Sequence, residues 1–419
     1  MPGRRRDWAT GGLAAFVLAA AGLYYFVHAS RPLPIQQIRQ LADAEQWDAA
    51  DREIRKLLAR SPSNSQGLLL AARIAAGRGN LDQCIAFLEA VPDDGADKLE
   101  AMVRHAQALQ FREQFGEAVR VFQAALDRAY RRGDSNSVLV QRAQEELADV
   151  LTLLQRRDQA AAVLWQLFPA HQQKWKLLIQ LARLQVRSAD PSEAIRRLGE
   201  LLSRHPADID LQRALGQAYV EGSRWHEALE CIGKVAEQNP ADPTARRLHF
   251  LCYAALHRWD SFDRLLADDG GLDDDVDVLR SRAARSIAAG DWPAAEAQFT
   301  KGIAVDPFDT VTRFQYAQAL TRIGDKDAAR KQHEEFRRLD RLEARLSAVL
   351  QGLARENPDL SRPVSPEACL EMAGICRGLG RARQARAWAE EALRRRPDDP
   401  TAREMLDQLP NAVHGQTAR

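Results

Sequence analysis

Apolar positions recur three and four residues apart along most of the chain, in paired stretches separated by short polar breaks, the signature of amphipathic helices. Ten sites in this pattern fall on one ruler: Ala50, Cys84, Ala118, Ala160, Ala194, Ala228, Phe262, Ala295, Ala329 and Ala385. The steps between them are 34, 34, 42, 34, 34, 34, 33, 34 and 56 residues, and only Phe262 is large. A step of 34 fits one helix–turn–helix unit, and such units bury a continuous core only by stacking on their neighbours. The pattern therefore predicts an all-α fold over residues 31–409: an α-solenoid of about ten repeats and about twenty helices, with almost no strand.

When the ruler residue is numbered 20 within its repeat, other positions acquire roles. Small residues fill position 8 (Ala72, Ala106, Ala148, Ala182, Gly216, Ala283, Ala317 and Ala373), where two helices cross closely. Large apolar residues fill position 11 on the same face: Leu41, Leu109, Leu151, Tyr219, Tyr253 and Leu320. Gly79-Asn80, Gly290-Asp291 and Gly324-Asp325 mark turns, aromatics such as Trp47, Phe115 and Trp225 follow, and Pro62, Pro206, Pro240, Pro307 and Pro397 end units. The unit starting at Ile209 reads Leu215, Gly216, Tyr219, Ala228, Ile232 and Pro240. That set resembles the tetratricopeptide repeat, in which L-G-x-x-Y packs the first helix, A-x-x-x-F the second, and proline closes the unit. The resemblance implies a right-handed superhelix whose concave surface is lined by positions 2, 5, 9, 12 and 13 of the first helices.

Departures from the period locate irregularities. The 42-residue step holds an insertion near 128–135, with Gly133 and Asp134 as breakers, and the 56-residue step holds a charged amphipathic run near 337–357 that lengthens a second helix. Phe262, in a unit without its closing proline, makes the seventh repeat the least regular. The expected organisation is a segment over 1–30, a solenoid over 31–398, and a capping helix and tail over 399–419.

The first segment carries its own signal. Trp8–Ser30 has no charged residue, Leu13–Val27 is densely apolar, and Arg4, Arg5 and Arg6 precede it. About twenty helical residues span a bilayer core, and a basic cluster stays cytoplasmic. The expectation is a single-pass anchor, one transmembrane helix before the repeats, with the N-terminus cytoplasmic and the repeats extracytoplasmic. A removed secretory signal ending near Val27-His28-Ala29 is the competing reading.

Charge excludes one class of partner: 59 basic against 58 acidic side chains argues against dedicated nucleic-acid binding. Five cysteines form no C-x-x-C pair and read as small core hydrophobes, with Cys231 and Cys252 in adjacent repeats as one conceivable disulfide. No nucleophile elbow, phosphate loop, haem site or paired metal-binding histidines occur, so neither enzyme chemistry nor a cofactor or small-molecule substrate is expected. Asp268, Asp269, Asp273, Asp274, Asp275 and Asp277 lack the calcium-loop alternation and precede a helix, where acids cap free N–H groups.

The resemblance places a basic face in the groove. Arg213, Arg247 and Arg280 occupy position 5 of repeats six to eight; Arg39, Arg73 and Arg183 occupy position 9 of repeats one, two and five, with Lys176 at position 2 of repeat five. Such a ladder should find few acidic partners within the chain and should attract an acidic protein or peptide. The expected function is a membrane-tethered interaction scaffold in envelope assembly, secretion or chaperoning. The alternative is an accessory subunit that positions a catalytic partner in an envelope enzyme complex.

Overall fold

The computed structural model describes residues 33–185, 191–267 and 272–410, which hold 21 helices and no strand. They fall into two compact units, one ending at Ala143 and one starting at Gln144. The first unit contains α1 (Ile35–Asp43), α2 (Trp47–Arg60), α3 (Ser65–Gly77), α4 (Leu81–Glu89), α5 (Lys98–Phe111) and α6 (Phe115–Arg131). The division falls within α7 (Val138–Leu153). The second unit continues with α8 (Arg157–Leu167), α9 (Lys174–Gln185), α10 (Ser192–Arg204), α11 (Ile209–Glu221), α12 (Trp225–Gln238), α13 (Pro243–Ala255) and α14 (Trp259–Ala267). It ends with α15 (Val276–Ala288), α16 (Trp292–Val305), α17 (Thr310–Ile323), α18 (Lys326–Glu356), α19 (Pro366–Gly378), α20 (Ala382–Arg395) and α21 (Pro400–Gln408).

The ruler residues start the second helix of each pair. All but Ala194 are the fourth residue of theirs, and all but Ala194 are buried. The eight small residues of position 8 are buried opposite them. A Cβ on Gly216 would lie 2.9 Å from Cγ1 of Ile232, which shows how close the crossing is. The seventh repeat solves the crossing differently. Phe250 stands at its position 8 and Phe262 at its position 20, both fully buried, with ring centroids 5.1 Å apart edge to face. Two aromatics replace two small residues, so the pair is spaced by its rings.

Local chemistry fixes where each helix begins. Five residues before the ruler, the chain takes a left-handed conformation in every described repeat: Gly79, Gly290, Gly324 and Gly380, but also Glu45, Glu113, Gln155, Ser223 and His257. First helices are capped by a recurrent short polar side chain: Asn64, Asp208, Asp242, Asp275, Asp309, Ser365 and Asp399 each accept a backbone N–H three residues ahead. The capping reading of the aspartate run holds for Asp275, while Asp268 and Asp269 lie outside the described residues.

The second unit also folds back on itself. Helix α20 packs against α9, and so does α18, although these helices are far apart in sequence. The Arg383 guanidinium sits 4.0 Å from the centre of the buried Trp165 ring, a close cation–π contact. A ring carbon of Phe308 packs so tightly on Gly380 that a Cβ there would lie 2.1 Å away.

The membrane expectation is corrected. No helix among the described residues is long and apolar enough to cross a membrane, so the chain is not read as a single-pass membrane protein with extracytoplasmic repeats. The segment that carried that expectation, Trp8–Ser30, lies outside the described residues.

Candidate functional site

In the second unit, the first helices α11, α13, α15 and α17 and the turns that follow them line a recess of about 690 Å³. Its lining is drawn from positions the repeat assigns to the concave face: Gln217 and Leu251 at position 9, Val220 and Ala254 at 12, Glu221 and Ala255 at 13, Asp277 and Val311 at 2, and Arg280 at 5. Ala254, Ala255 and Ala284 add short side chains to the lining, at positions that elsewhere in the same recess hold Val220, Glu221, Gln217 and Leu251.

Arginine and aspartate alternate along this face. Arg213 Nη2 donates to Asp210 Oδ1 at 2.7 Å, and its Nε lies 3.3 Å from Asp242 Oδ2. Arg156, from α7's following turn, also donates to Asp210. Arg247 bridges two repeats, with Nη1 on Asp277 Oδ2 at 2.8 Å and Nη2 on Gln217 Oε1 at 3.1 Å. Arg280 donates to Asp277 and, at 2.8 Å, to Asp309 Oδ2. Asp309 Oδ2 also takes the Thr312 N–H at 2.7 Å, so one carboxylate caps α17 and receives the preceding repeat's arginine. Burial pushes the Asp277 carboxyl up, but Arg280 and Arg247 outweigh it by charge and hydrogen bonding and hold it below the usual carboxylate range.

The expectation that this ladder lacks acidic partners therefore fails. Arg213, Arg247 and Arg280 are each paired within the chain, to carboxylates on their own or the next repeat. Sequence reasoning missed those partners, Asp210, Asp242, Asp277 and Asp309, although Asp242 and Asp309 recur with Asp208 and Asp275 at nearly the repeat step, where an acid before a helix reads as a cap.

The other predicted residues do not join the ladder. Arg39 and Arg73 belong to the first unit, where they line a recess of about 410 Å³ with Leu69, Leu70, Asp97, Glu100 and Arg104. Arg39 is exposed; Arg73 pairs with Asp43 at 2.7 Å, and Arg104 with Glu100 at 2.6 Å. Lys176 and Arg183 lie on α9, with Lys176 Nζ 5.5 Å from the Trp175 ring centre and Arg183 exposed.

Of the remaining aspartates in the acidic run, Asp273 holds Arg282 at 2.8 Å and Asp274 holds Lys301 at 3.2 Å. All five cysteines are free. Burial pushes the Cys231 thiol up to about 11 and Cys252, Cys369 and Cys376 to about 12, so none is a ready nucleophile at neutral pH.

Tetratricopeptide repeat family models match residues 35–97 and 185–249. The chain is a tetratricopeptide repeat protein. Similar solved structures include the APC/C hetero-tetramer Cut9–Hcn1 (13% identity, 88% of this chain and 94% of that one, TM-score 0.33). They also include Pseudomonas aeruginosa pilF (13% identity, 56% and 96%, TM-score 0.30) and yeast Tom70 (15% identity, 88% and 76%, TM-score 0.27). No curated protein matches the chain in sequence.

Proposed function

We propose that this protein is a scaffold that holds a segment of another protein against the first helices of its repeats and performs no chemistry of its own. The observation that supports it is the recess of about 690 Å³ formed by the first helices of four successive repeats, lined by short side chains such as Ala254, Ala255 and Ala284 and by polar groups, among them Arg280, Asp277 and Asp309, that are already paired with one another. Short side chains in the lining admit a chain close to the helices, and paired charges favour contacts by shape and hydrogen bonding over bulk charge. In this reading Arg213, Arg247 and Arg280 hold the wall, with Arg280 presented at the recess. Arg39 and Arg73 are the candidates for charged contact with an acidic partner segment, and Lys176 and Arg183 lie apart from both recesses.

The test places a photoreactive residue at Ala284 or Gln315 inside the recess and, as a control, at Gly233 or Gly199 on second helices with open space around them. Partner crosslinks concentrated at the recess positions are expected. Equal yield from the second-helix positions would remove the recess as the binding face.

A further inference from the structure

We propose that the ninth repeat keeps an open helix seat, lined by Phe314, His333 and Phe336, which takes an amphipathic helix of a partner protein with acidic residues in its first turn. The seat lies beyond the recess wall at Val311 and Gln315 and does not depend on binding at that recess.

Regular joints show where one repeat receives the next. Gly302 stands at position 27 of repeat eight, and a Cβ there would lie 3.4 Å from Cγ2 of Thr312, at position 3 of the following first helix. The first joint repeats this: a Cβ on Gly67, position 3 of repeat two, would lie 3.0 Å from Cδ2 of Leu57, position 27 of repeat one. Position 27 is accordingly buried at Val91, Ala125, Leu167, Val235 and Ala392. Position 24, one turn earlier, is apolar and buried at Ile54, Phe122, Leu198, Ile232 and Phe299.

Repeat nine departs from this because α18 runs for 31 residues and carries the chain past the joint. Helix α19 then docks on the later half of α18. Arg338 Nη1 donates to the Gly378 carbonyl at 3.1 Å, and Arg345 Nε to Glu371 Oε1 at 2.5 Å. A Cβ on Gly378 would lie 2.7 Å from Cδ1 of Leu342. These contacts all begin at residue 338, beyond position 27. Phe336 at that position is left half-buried, and so is His333 at position 24. Phe314, at position 5 of α17, is 38% exposed. Its ring centroid lies 5.2 Å from that of Phe336 and 6.4 Å from that of His333. Helix α9 also reaches α18, yet it leaves Phe314 open to solvent.

The occupant follows from what the joint is built to receive. At joints one and eight position 27 meets a helix, so a helix fits the space, and its apolar face would rest on the three rings. Charge sets its first turn. In repeats seven and eight the arginine at position 5 finds an acid at the start of the next first helix, Asp277 and Asp309. Beside the open seat, Arg313 donates to neutral acceptors, the Pro307 carbonyl and Gln332 Oε1. Arg337, next to Phe336, is exposed and has no carboxylate partner among the described residues. Acidic residues in the first turn of an incoming helix would pair with these two cations and suit that helix's own dipole, whereas a basic segment would be repelled.

A displayed library of random peptides of about sixteen residues, roughly four helical turns, selected on the full chain tests this. Enriched sequences should space apolar residues three and four apart and carry Asp or Glu in the first turn. They should bind the Phe314→Ser, Phe336→Ser double variant about tenfold or more weakly than the unaltered chain, with its circular dichroism unchanged. Arg337→Glu, at an exposed position that folding does not need, gives a second reading: selection on that variant should lose the acidic first turn. Enriched sequences without helical spacing, equal affinity for the double variant, or the same acidic bias on Arg337→Glu would each overturn the proposal. So would peptides that are displaced by Ala284→Tyr and not by the phenylalanine changes, since those would sit in the recess.

Discussion

At the scale of single residues, one position invites improvement. The turn between helices is left-handed in every described repeat, yet Glu113 and Gln155 occupy it at φ +59° and +58°. A side chain there crowds the backbone, and glycine does not, so Glu113→Gly or Gln155→Gly should raise stability by roughly 0.5–1 kcal/mol despite glycine's larger unfolded entropy. Urea denaturation of each variant decides it. Ala228 stands at the opposite extreme: fully buried at a close crossing, it should lose roughly 1–3 kcal/mol on replacement by leucine. His249 gives a pH handle. Burial, with Arg246 adding to it, lowers its pKa from 6.5 to about 4, so unfolding takes up a proton that the folded ring refuses. Its contribution is complete above the unfolded value near 6.5 and is lost as pH falls toward 4. His249→Gln should flatten the fall in denaturation midpoint across that window.

At the scale of elements, the arginine–aspartate chain joins each first helix to the next, and it is where sequence reasoning and structure part. The arginines at position 5 were visible as a ladder, but a ladder of charge has two meanings, and only the carboxylate partners tell them apart. Asp309 and Asp242 sit just outside helices, where an acid reads as a cap, and nothing in a linear sequence says that the same carboxylate faces the preceding repeat. Removing Arg280 leaves Asp277 with Arg247 alone and Asp309 with its capped backbone. Arg280→Gln should therefore cost roughly 1–3 kcal/mol, measured as a shift in thermal midpoint, rather than merely weakening a surface. The sign with pH follows: Asp277 is held below its ordinary value, so the pair's stabilisation is present above the usual carboxylate range and disappears as pH falls through the depressed one. What the sequence did disclose was periodic. Alanine at positions 8 and 20 is dictated by neighbours at fixed separation, so it recurs and can be read. Phe250 against Phe262 breaks the rule twice in compensating ways, which looks like one irregular residue until both positions are seen together.

At the scale of the whole molecule, the contacts hardest to foresee are those that skip repeats. The ruler describes nearest neighbours, whereas Trp165 and Arg383 meet across five repeats of the second unit, and no period of 34 announces such a meeting. An open stack of helix pairs is a spring: tension is shared among its joints, each yields a little, and extension grows smoothly with load. A contact spanning the middle of that stack short-circuits it. Tension between residues 165 and 383 falls first on the contact of Arg383 on α20 with Trp165 on α8, and the intervening joints carry little until it parts. Pulled in an optical trap from attachment points at those two sites, the second unit should lengthen in one abrupt early step and only then become compliant, and Arg383→Glu should erase that step while leaving the soft regime behind it intact.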